Sequence, residues 1–348
     1  MAQVDMLSLS PEALTEALTA MGEPKFRAKQ IFAWLHQQRV TEIAQMTNLP
    51  LSLRTKMTVE FCLTQPIVVK KLASSMDNTV KYLYGLSDGS LVESVLMSYH
   101  HGDSICISTQ VGCKMGCAFC ASTIAGYIRD LTPGEMLGQI YAAERDSGRT
   151  VSGVVLMGIG EPLDNYENVL RFLRLLSAPE GRGMSLRHVT LSTCGLVPMM
   201  DRLAEENLGL TLAVSLHAAN NAARSKIMPV NWRYGLEELL PACRRYFEKT
   251  GRRITFEYAV IDDVNAGQAD AAALAALLRG LPCHVNLIPV NPVRERNFRT
   301  NRDTVLRFQH WLEAAGVNAT IRRTLGSDIN AACGQLRREA GACGMEVR

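Results

Sequence analysis

The sequence lacks any apolar run near the roughly 18 residues that a membrane span requires, and its mean hydropathy is close to zero. Its opening stretch, MAQVDMLSLSPEALTEALTAMGEPKF, alternates apolar with acidic side chains and has no basic segment before an apolar core. No secretory leader is therefore expected there. Aromatic residues are sparse at 6%, and only 13 prolines and 26 glycines occur in 348 residues, which excludes fibrous and Pro-rich composition. No repeat of fixed period and no low-complexity tract is visible. An excess of charge is missing too: 37 Lys and Arg oppose 34 Asp and Glu, leaving a net +3 that does not by itself announce a nucleic-acid binder. Hydrophobic residues at 47% are ample for a large core, so disorder is excluded. A soluble, cytoplasmic protein of one large domain or two is expected.

Two features depart from this plain composition. Between Val290 and Arg323 stand seven arginines and three acids, a local excess whose planar guanidinium forks match phosphate oxygens. Ten cysteines are many for a chain without a leader, and four of them, Cys106, Cys113, Cys117 and Cys120, fall within fifteen residues. A disulfide framework is not expected in a reducing compartment at this length. Metal binding, thiol chemistry and simple burial remain.

The first 60 residues read as helical. Ser10-Pro11-Glu12 offers an N-cap, a Pro at the first helical position and an acid in the first turn. Pro24 to Gln38 carries one apolar face. From 67 to 98 the pattern turns to strands, with Asp88-Gly89 as a hairpin turn. Beyond that, strands at 105–109, 154–158, 189–193, 210–216, 254–260, 284–290 and 318–323 alternate with helical stretches such as 133–146 and 166–176. Repeated βα units imply parallel strands with right-handed crossovers. Six or seven of them suit an α/β barrel or partial barrel whose reactive groups sit at the C-terminal strand ends. The alternative is an open doubly wound sheet.

Cys113-Lys-Met-Gly-Cys117-Ala-Phe-Cys120 has the spacing C-x3-C-x2-C and directly follows the first barrel strand. A structural zinc site wants four ligands in paired knuckles, and no fourth Cys or His stands at such spacing. A cubane iron–sulfur cluster is usually held by four thiolates. Three leave one iron open to a substrate or cofactor.

C-x3-C-x2-C after the first strand of a βα barrel resembles the signature of radical S-adenosylmethionine (SAM) enzymes. Over nearly its whole length the chain resembles one family among them, the RlmN/Cfr RNA adenine methyltransferases. The resemblance is carried in order by FRAKQIFAWLHQQ, LVESVLM, SICISTQVGCKMGCAFCAST, LMGIGEPLDNY, LSTCG, SLHAANNAARSKIMPVN, NLIPVNP and IRRTLGSDINAACGQL. GEP after the second strand and IPVNP are similar to the RlmN branch. The Cfr branch more often has Ala after that Glu and lacks the Pro before the Asn-Pro step.

The resemblance implies a partial (βα)6-type radical SAM barrel over 99–348, a helical RNA-binding domain over 1–60 and a linker with a β-hairpin over 61–98. It implies a 4Fe–4S cluster on Cys113, Cys117 and Cys120, and SAM contacts from Gly160, Glu161, Ser192, Ser215, the Leu216 backbone, His217 and Asn291. Read alone, a G-x-G-E-P turn is a weak signal and His217 a core histidine; the family match gives both their expected role. Glu93 takes the place of an acid–base carboxylate, and Cys106 and Cys333 those of two reactive thiols. Cys62, Cys194, Cys243 and Cys283 keep the reading of small buried hydrophobes.

Carbon 2 of adenine lies between two ring nitrogens and is too electron-poor to attack a sulfonium methyl. The resemblance implies two SAM per turnover. One methylates Cys333; the other is reductively split to a 5′-deoxyadenosyl radical that takes a hydrogen from that methyl. The carbon then adds to the ring, and Cys106 attacks the sulfur, releasing product and leaving a Cys106–Cys333 disulfide. The implied substrates are adenine 2503 of 23S rRNA and, as a second candidate, adenine 37 of tRNA. A flavodoxin- or ferredoxin-type electron donor, a monomeric state and no membrane complete the expectation. The alternatives are a carbon-8 methyltransferase conferring antibiotic resistance, a radical enzyme for a protein or small molecule, and a non-catalytic iron–sulfur RNA-binding module.

Overall fold

The computed structural model describes residues 3–290, 298–329 and 336. The chain begins with β1 (Val4–Asp5), which pairs in parallel with β2 (Phe61–Cys62) and so ties the two ends of the helical region together. Between them lie α1 (Pro11–Ala20), α2 (Phe26–His36) and α3 (Leu51–Glu60). The Ser10 hydroxyl accepts from Ala13 N at 3.1 Å, so α1 starts where its cap chemistry places it.

β3 (Ile67–Ala73), β4 (Val80–Gly85) and β5 (Leu91–Tyr99) form an antiparallel meander with a tight turn at Asp88-Gly89. It does not stand apart: β5 pairs with β6 (Gly102–Cys106), and the whole meander becomes the edge of a ten-stranded sheet. A short pair, β7 (Gln110–Val111) and β8 (Arg129–Asp130), then brackets the cysteine loop. The remaining strands are β9 (Val151–Leu156), β10 (Val189–Thr193), β11 (Thr211–Ser215), β12 (Ile254–Val260), β13 (Cys283–Pro289) and β14 (Ala319–Ile321).

From β6 through β9 to β14 each strand pairs in parallel with the next in sequence. A doubly wound sheet reverses its strand order at a switch point, and this order never reverses, which excludes that alternative. Among the described residues β14 pairs only with β13, so the arc stays open as a partial barrel. One strand is shorter than the apolar run that announces it. Ile107, Ser108 and Thr109 continue the β6 run, and Ile107 N still bonds to Val155 O of β9 at 3.0 Å, but Ser108 N turns to the Gln139 side chain and Thr109 N to Ile159 O.

The crossover helices α4 (Pro133–Ser147), α5 (Tyr166–Ser177), α6 (Val197–Glu206), α8 (Leu236–Thr250), α9 (Gln268–Leu277) and α10 (Arg302–Ala314), with the short α7 (Asn221–Ile227), bury their apolar sides on this sheet. Thr132 caps α4 with a capping box to Glu135. Residues of α2 and the turn after it dock against α4: His36 Nδ1 lies 3.1 Å from the Tyr141 hydroxyl, and Arg39 pairs with Glu144 at 2.6 Å.

His36 supplies a pH dependence. It is 2% exposed, its Nε2 has no hydrogen-bond partner, and burial pulls its pKa down to about 4. The native state keeps the ring neutral, while the unfolded chain takes up a proton below about pH 6.5. Stability is therefore lost as pH falls from about 6.5 towards 4, and the loss from this group at pH 5 is about 2 kcal/mol. His36→Phe is expected to flatten the decline in unfolding free energy, measured by urea titration between pH 7.5 and 5, by that amount. An unchanged slope would mean that His36 is protonated in the native state.

Candidate active site

A cavity of about 280 Å³ opens at the C-terminal ends of the parallel strands. Its walls include all three loop cysteines, Glu161, His217 and Glu257. The cysteine loop follows β7, Glu161 follows β9, His217 follows β11 and Glu257 lies within β12, so the barrel gathers residues distant in sequence.

The turn after β9 is shaped by two glycines. A Cβ on Gly158 would meet the Ile107 carbonyl carbon at 2.6 Å, and one on Gly160, at φ +112°, would meet Gln110 N at 2.8 Å. Only glycine permits this approach to the β6 extension. Gln110 then accepts from Glu161 N at 2.9 Å and holds the turn. The Glu161 carboxylate is 4% exposed; Oε2 accepts from Cys194 N at 2.8 Å and Oε1 from Leu163 N at 3.1 Å. Burial raises its pKa against those bonds. A buried carboxylate with lone pairs still open to the cavity is a site for a cation.

Cys113 is buried, and Cys117 and Cys120 are half-buried. Burial, with the neighbouring thiols and Glu161 adding to it, pushes Cys113 up to about 12 and Cys117 higher still. Burial disfavours the thiolate at Cys113 and Cys117, and a polynuclear cationic core held by the three sulfurs would restore it. Among the described residues no group of three His, Cys, Asp or Glu side chains is arranged around a single metal ion.

His217 sits at φ +55°, an uncommon conformation for a non-glycine residue. Its Nδ1 accepts from Ala259 N at 2.9 Å, which fixes the neutral tautomer with the proton on Nε2. Burial and then the Arg224 charge lower its pKa to about 3. The ring meets Phe119 of the cysteine loop edge-on at 4.8 Å. Ser192 and Ser215, both half-buried, line the cavity from β10 and β11. Leu216 does not line it. Its side chain is fully buried, its N–H donates to Glu257 O at 3.0 Å, and its carbonyl accepts from both Ala218 N at 2.8 Å and Arg224 Nε at 3.1 Å, so the protein already engages both of its backbone groups. Asn291 and Cys333 lie outside the described residues.

Glu93 and Cys106 stand off this cavity, together on one face of the sheet. Paired strands place Lys81 beside Val95 and Val95 beside Cys106, so the three share a face. Glu93 lies two residues before Val95 on that same face and pairs with Lys81 at 3.1 Å, both side chains being at most 3% exposed. Glu93 is therefore no solvated strand acid. Two residues from the C-terminal part of the chain reach this face: Leu325 packs with Cys106, Val95 and Met97, and Leu336 with Leu83 and Leu91. These two described residues flank Cys333 in sequence. Met157 belongs both to the Cys106 cluster and to the cavity wall, joining the two regions.

Residues 4–63 match the ribosomal RNA large subunit methyltransferase N-terminal domain, and residues 107–275 match the radical SAM superfamily. A protein of Lachnoclostridium phytofermentans named "Probable dual-specificity RNA methyltransferase RlmN" is 51% identical over 337 residues, covering 97% of this chain and 95% of its own. One of the same name from Desulforamulus reducens is 50% identical, covering 97% and 96%. The chain belongs to the RlmN family. The crystal structure of a radical SAM methyltransferase from Sphaerobacter thermophilus superposes with a TM-score of 0.92 at 46% identity, covering 95% of this chain and 98% of that one. An RlmN-type chain is a radical SAM RNA methyltransferase, and the fold expected from the alternating βα units is the one found.

Sequence reasoning missed three buried charged residues here. Glu257 lines the cavity and accepts from Asn286 Nδ2 at 2.8 Å; Lys81 holds Glu93; Arg224 lies fully buried behind Cys194. Each stands within or beside a strand run or helix that reads as ordinary core. The only available signal was a charge at a position whose alternation predicts burial, as with Lys81 opposite Val95 in β4 and β5.

Proposed function

We propose that this chain methylates carbon 2 of adenine 2503 in 23S rRNA, and adenine 37 of tRNA as a second substrate, using two SAM per turnover and a methyl group carried on Cys333. The observation that carries this reading is the shared sheet face: Cys106, Glu93 and Lys81 lie on the face against which Leu325 and Leu336 pack, and these two residues flank Cys333 in sequence. The choice of carbon 2 rests on the RlmN-like Pro162 and Pro289 motifs and on the RlmN name of the relatives.

In this reading Cys113, Cys117 and Cys120 hold a 4Fe–4S cluster, which supplies the electron that splits SAM. The Glu161 carboxylate takes the α-ammonium of SAM, and His217 donates from Nε2. Gly160, Ser192, Ser215, the Leu216 backbone and Asn291 complete the contacts. Glu93 accepts and returns protons, its carboxylate positioned by Lys81 Nζ at 3.1 Å. The Cys106 thiolate attacks the Cys333 sulfur to release product, and a thiol reductant must reopen the disulfide. Residues 1–60 serve as the RNA-binding domain, 61–98 as a linker with a hairpin, and 99–348 as the barrel. The electron donor is of the flavodoxin or ferredoxin type, and the enzyme works as a cytoplasmic monomer.

Methyl-deuterated SAM tests the route and the position together. Mass spectrometry of nucleosides from a treated 23S rRNA fragment is expected to show 2-methyladenosine holding two deuteriums. Three deuteriums would mean direct displacement by the base, and 8-methyladenosine would transfer the chain to the Cfr-type activity.

A further inference from the structure

Arg224 is the largest fully buried side chain described. Its guanidinium makes four hydrogen bonds, all to neutral acceptors. Nε donates to Leu216 O at 3.1 Å, Nη1 to Asn231 Oδ1 at 2.9 Å, and Nη2 to Cys194 O at 2.8 Å and Ser215 O at 3.1 Å. Among the described residues no carboxylate pairs with it. A guanidinium does not shed its proton, and burying a full charge without a counter-charge is strongly unfavourable. Packing alone does not call for it, since a methionine would fill much of the same volume.

Its position suggests what the charge meets. Arg224 lies on α7, one turn before Ile227, whose carbonyl accepts from Ala118 N of the cysteine loop at 2.8 Å. Cys117, Cys194, Ile227 and Met228 pack together, and the guanidinium holds the Cys194 carbonyl from below. At the amide of the same residue, Glu161 accepts from Cys194 N at 2.8 Å. The backbone of one residue, Cys194, bridges the two charges. Each is left to meet a ligand charge of opposite sign, Glu161 a cation in the cavity and Arg224 an anion at the cysteine loop.

We propose that Arg224 is a fixed counter-charge for the iron–sulfur cluster on Cys113, Cys117 and Cys120 and raises its reduction potential. The inference rests on the reading that these cysteines hold such a cluster. One electron from an external one-electron donor takes the core from 2+ to 1+ and adds one negative charge. The guanidinium stabilises the reduced form more than the oxidised one, and no proton moves because it is already charged. Arg224 touches no reacting atom and acts through its field.

The test is a potentiometric titration followed by electron paramagnetic resonance on anaerobically reconstituted full-length protein. Arg224→Gln is expected to shift the reduction equilibrium against the reduced form by roughly tenfold, which is 59 mV for one electron. Arg224→Lys, which keeps the charge, should stay close to the parent. Asn231→Asp should shift as Arg224→Gln does, because it sets a carboxylate against Nη1 and cancels the charge without removing it. Iron lost from Arg224→Gln and Asn231→Asp but kept in Arg224→Lys also supports the counter-charge, since cluster retention then follows charge. Equal potentials in all four proteins, or a lysine variant as low as the glutamine one, would overturn it. Parent protein that takes up no iron would instead sink the cluster reading itself.

Discussion

Replacing Cys106 with alanine is expected to turn the enzyme into a trap that holds its RNA covalently. Once the carbon carried by Cys333 has added to the ring, adenine is tethered through a methylene–sulfur bond. Release needs a second thiolate to attack that sulfur while the ring proton leaves. Neither methyl loading nor SAM cleavage uses the Cys106 thiol, so both should proceed. Multiple turnover should fall by on the order of 10³-fold, while one RNA per protein accumulates as an adduct that survives denaturation on a gel. The adduct should vanish in Cys106→Ala, Cys333→Ala, and Cys106→Ser should behave as the alanine variant, because a hydroxyl is a poor nucleophile toward sulfur. Cys106 is 3% exposed and packed by Val95, Met97 and Leu325, so a thermal melt must accompany the assay. A folded variant that turns over normally, or is dead with no adduct, would leave Cys106 as a packing residue.

The second large effect is loss of the cluster from Cys117→Ala. Anaerobically reconstituted parent protein should carry about four irons and four sulfides per chain, as a four-iron cubane requires. With one of three thiolates gone, iron should fall to a small fraction of that, the visible charge-transfer absorption should disappear, and methylation should drop by roughly 10³-fold or more. Cys62→Ala is the control, since Cys62 is half-buried in the N-terminal region and borders no part of the cavity. It should keep both iron and activity. Stoichiometric zinc in the parent protein, or full iron in Cys117→Ala, would remove the radical reading.

Much of the architecture was legible because it follows from local rules. β12 spans Ile254–Val260, the residues of its apolar run, since a strand buried on both faces reads as continuous hydrophobicity. α1 starts at Pro11 because Ser10 and Pro11 fix its first turn. Strand ends were less legible. The β6 run continues to Thr109, yet the strand ends at Cys106, because a side chain and a turn claim the amides of Ser108 and Thr109. The antiparallel strands at 67–99 were readable as strands, but their union with the barrel sheet was not, because pairing partners leave no local mark.

The site divides along the same line. The sequence by itself determined the chemistry that short spacings encode: three thiols within eight residues, and two glycines that let the Glu161 turn approach β6. Those residues act within one loop, so their order in the chain is nearly their order in space. Only the tertiary structure decided which distant groups meet. It set Lys81 against Glu93 across two strands, brought Leu325 and Leu336 onto the face of Cys106, and buried Arg224 between Cys194, Ser215, Leu216 and Asn231. A charge in a strand or helix reads as solvated until the fold surrounds it. Its meaning comes from what the sheet register and helix docking place within 3 Å, and no spacing along the chain records that.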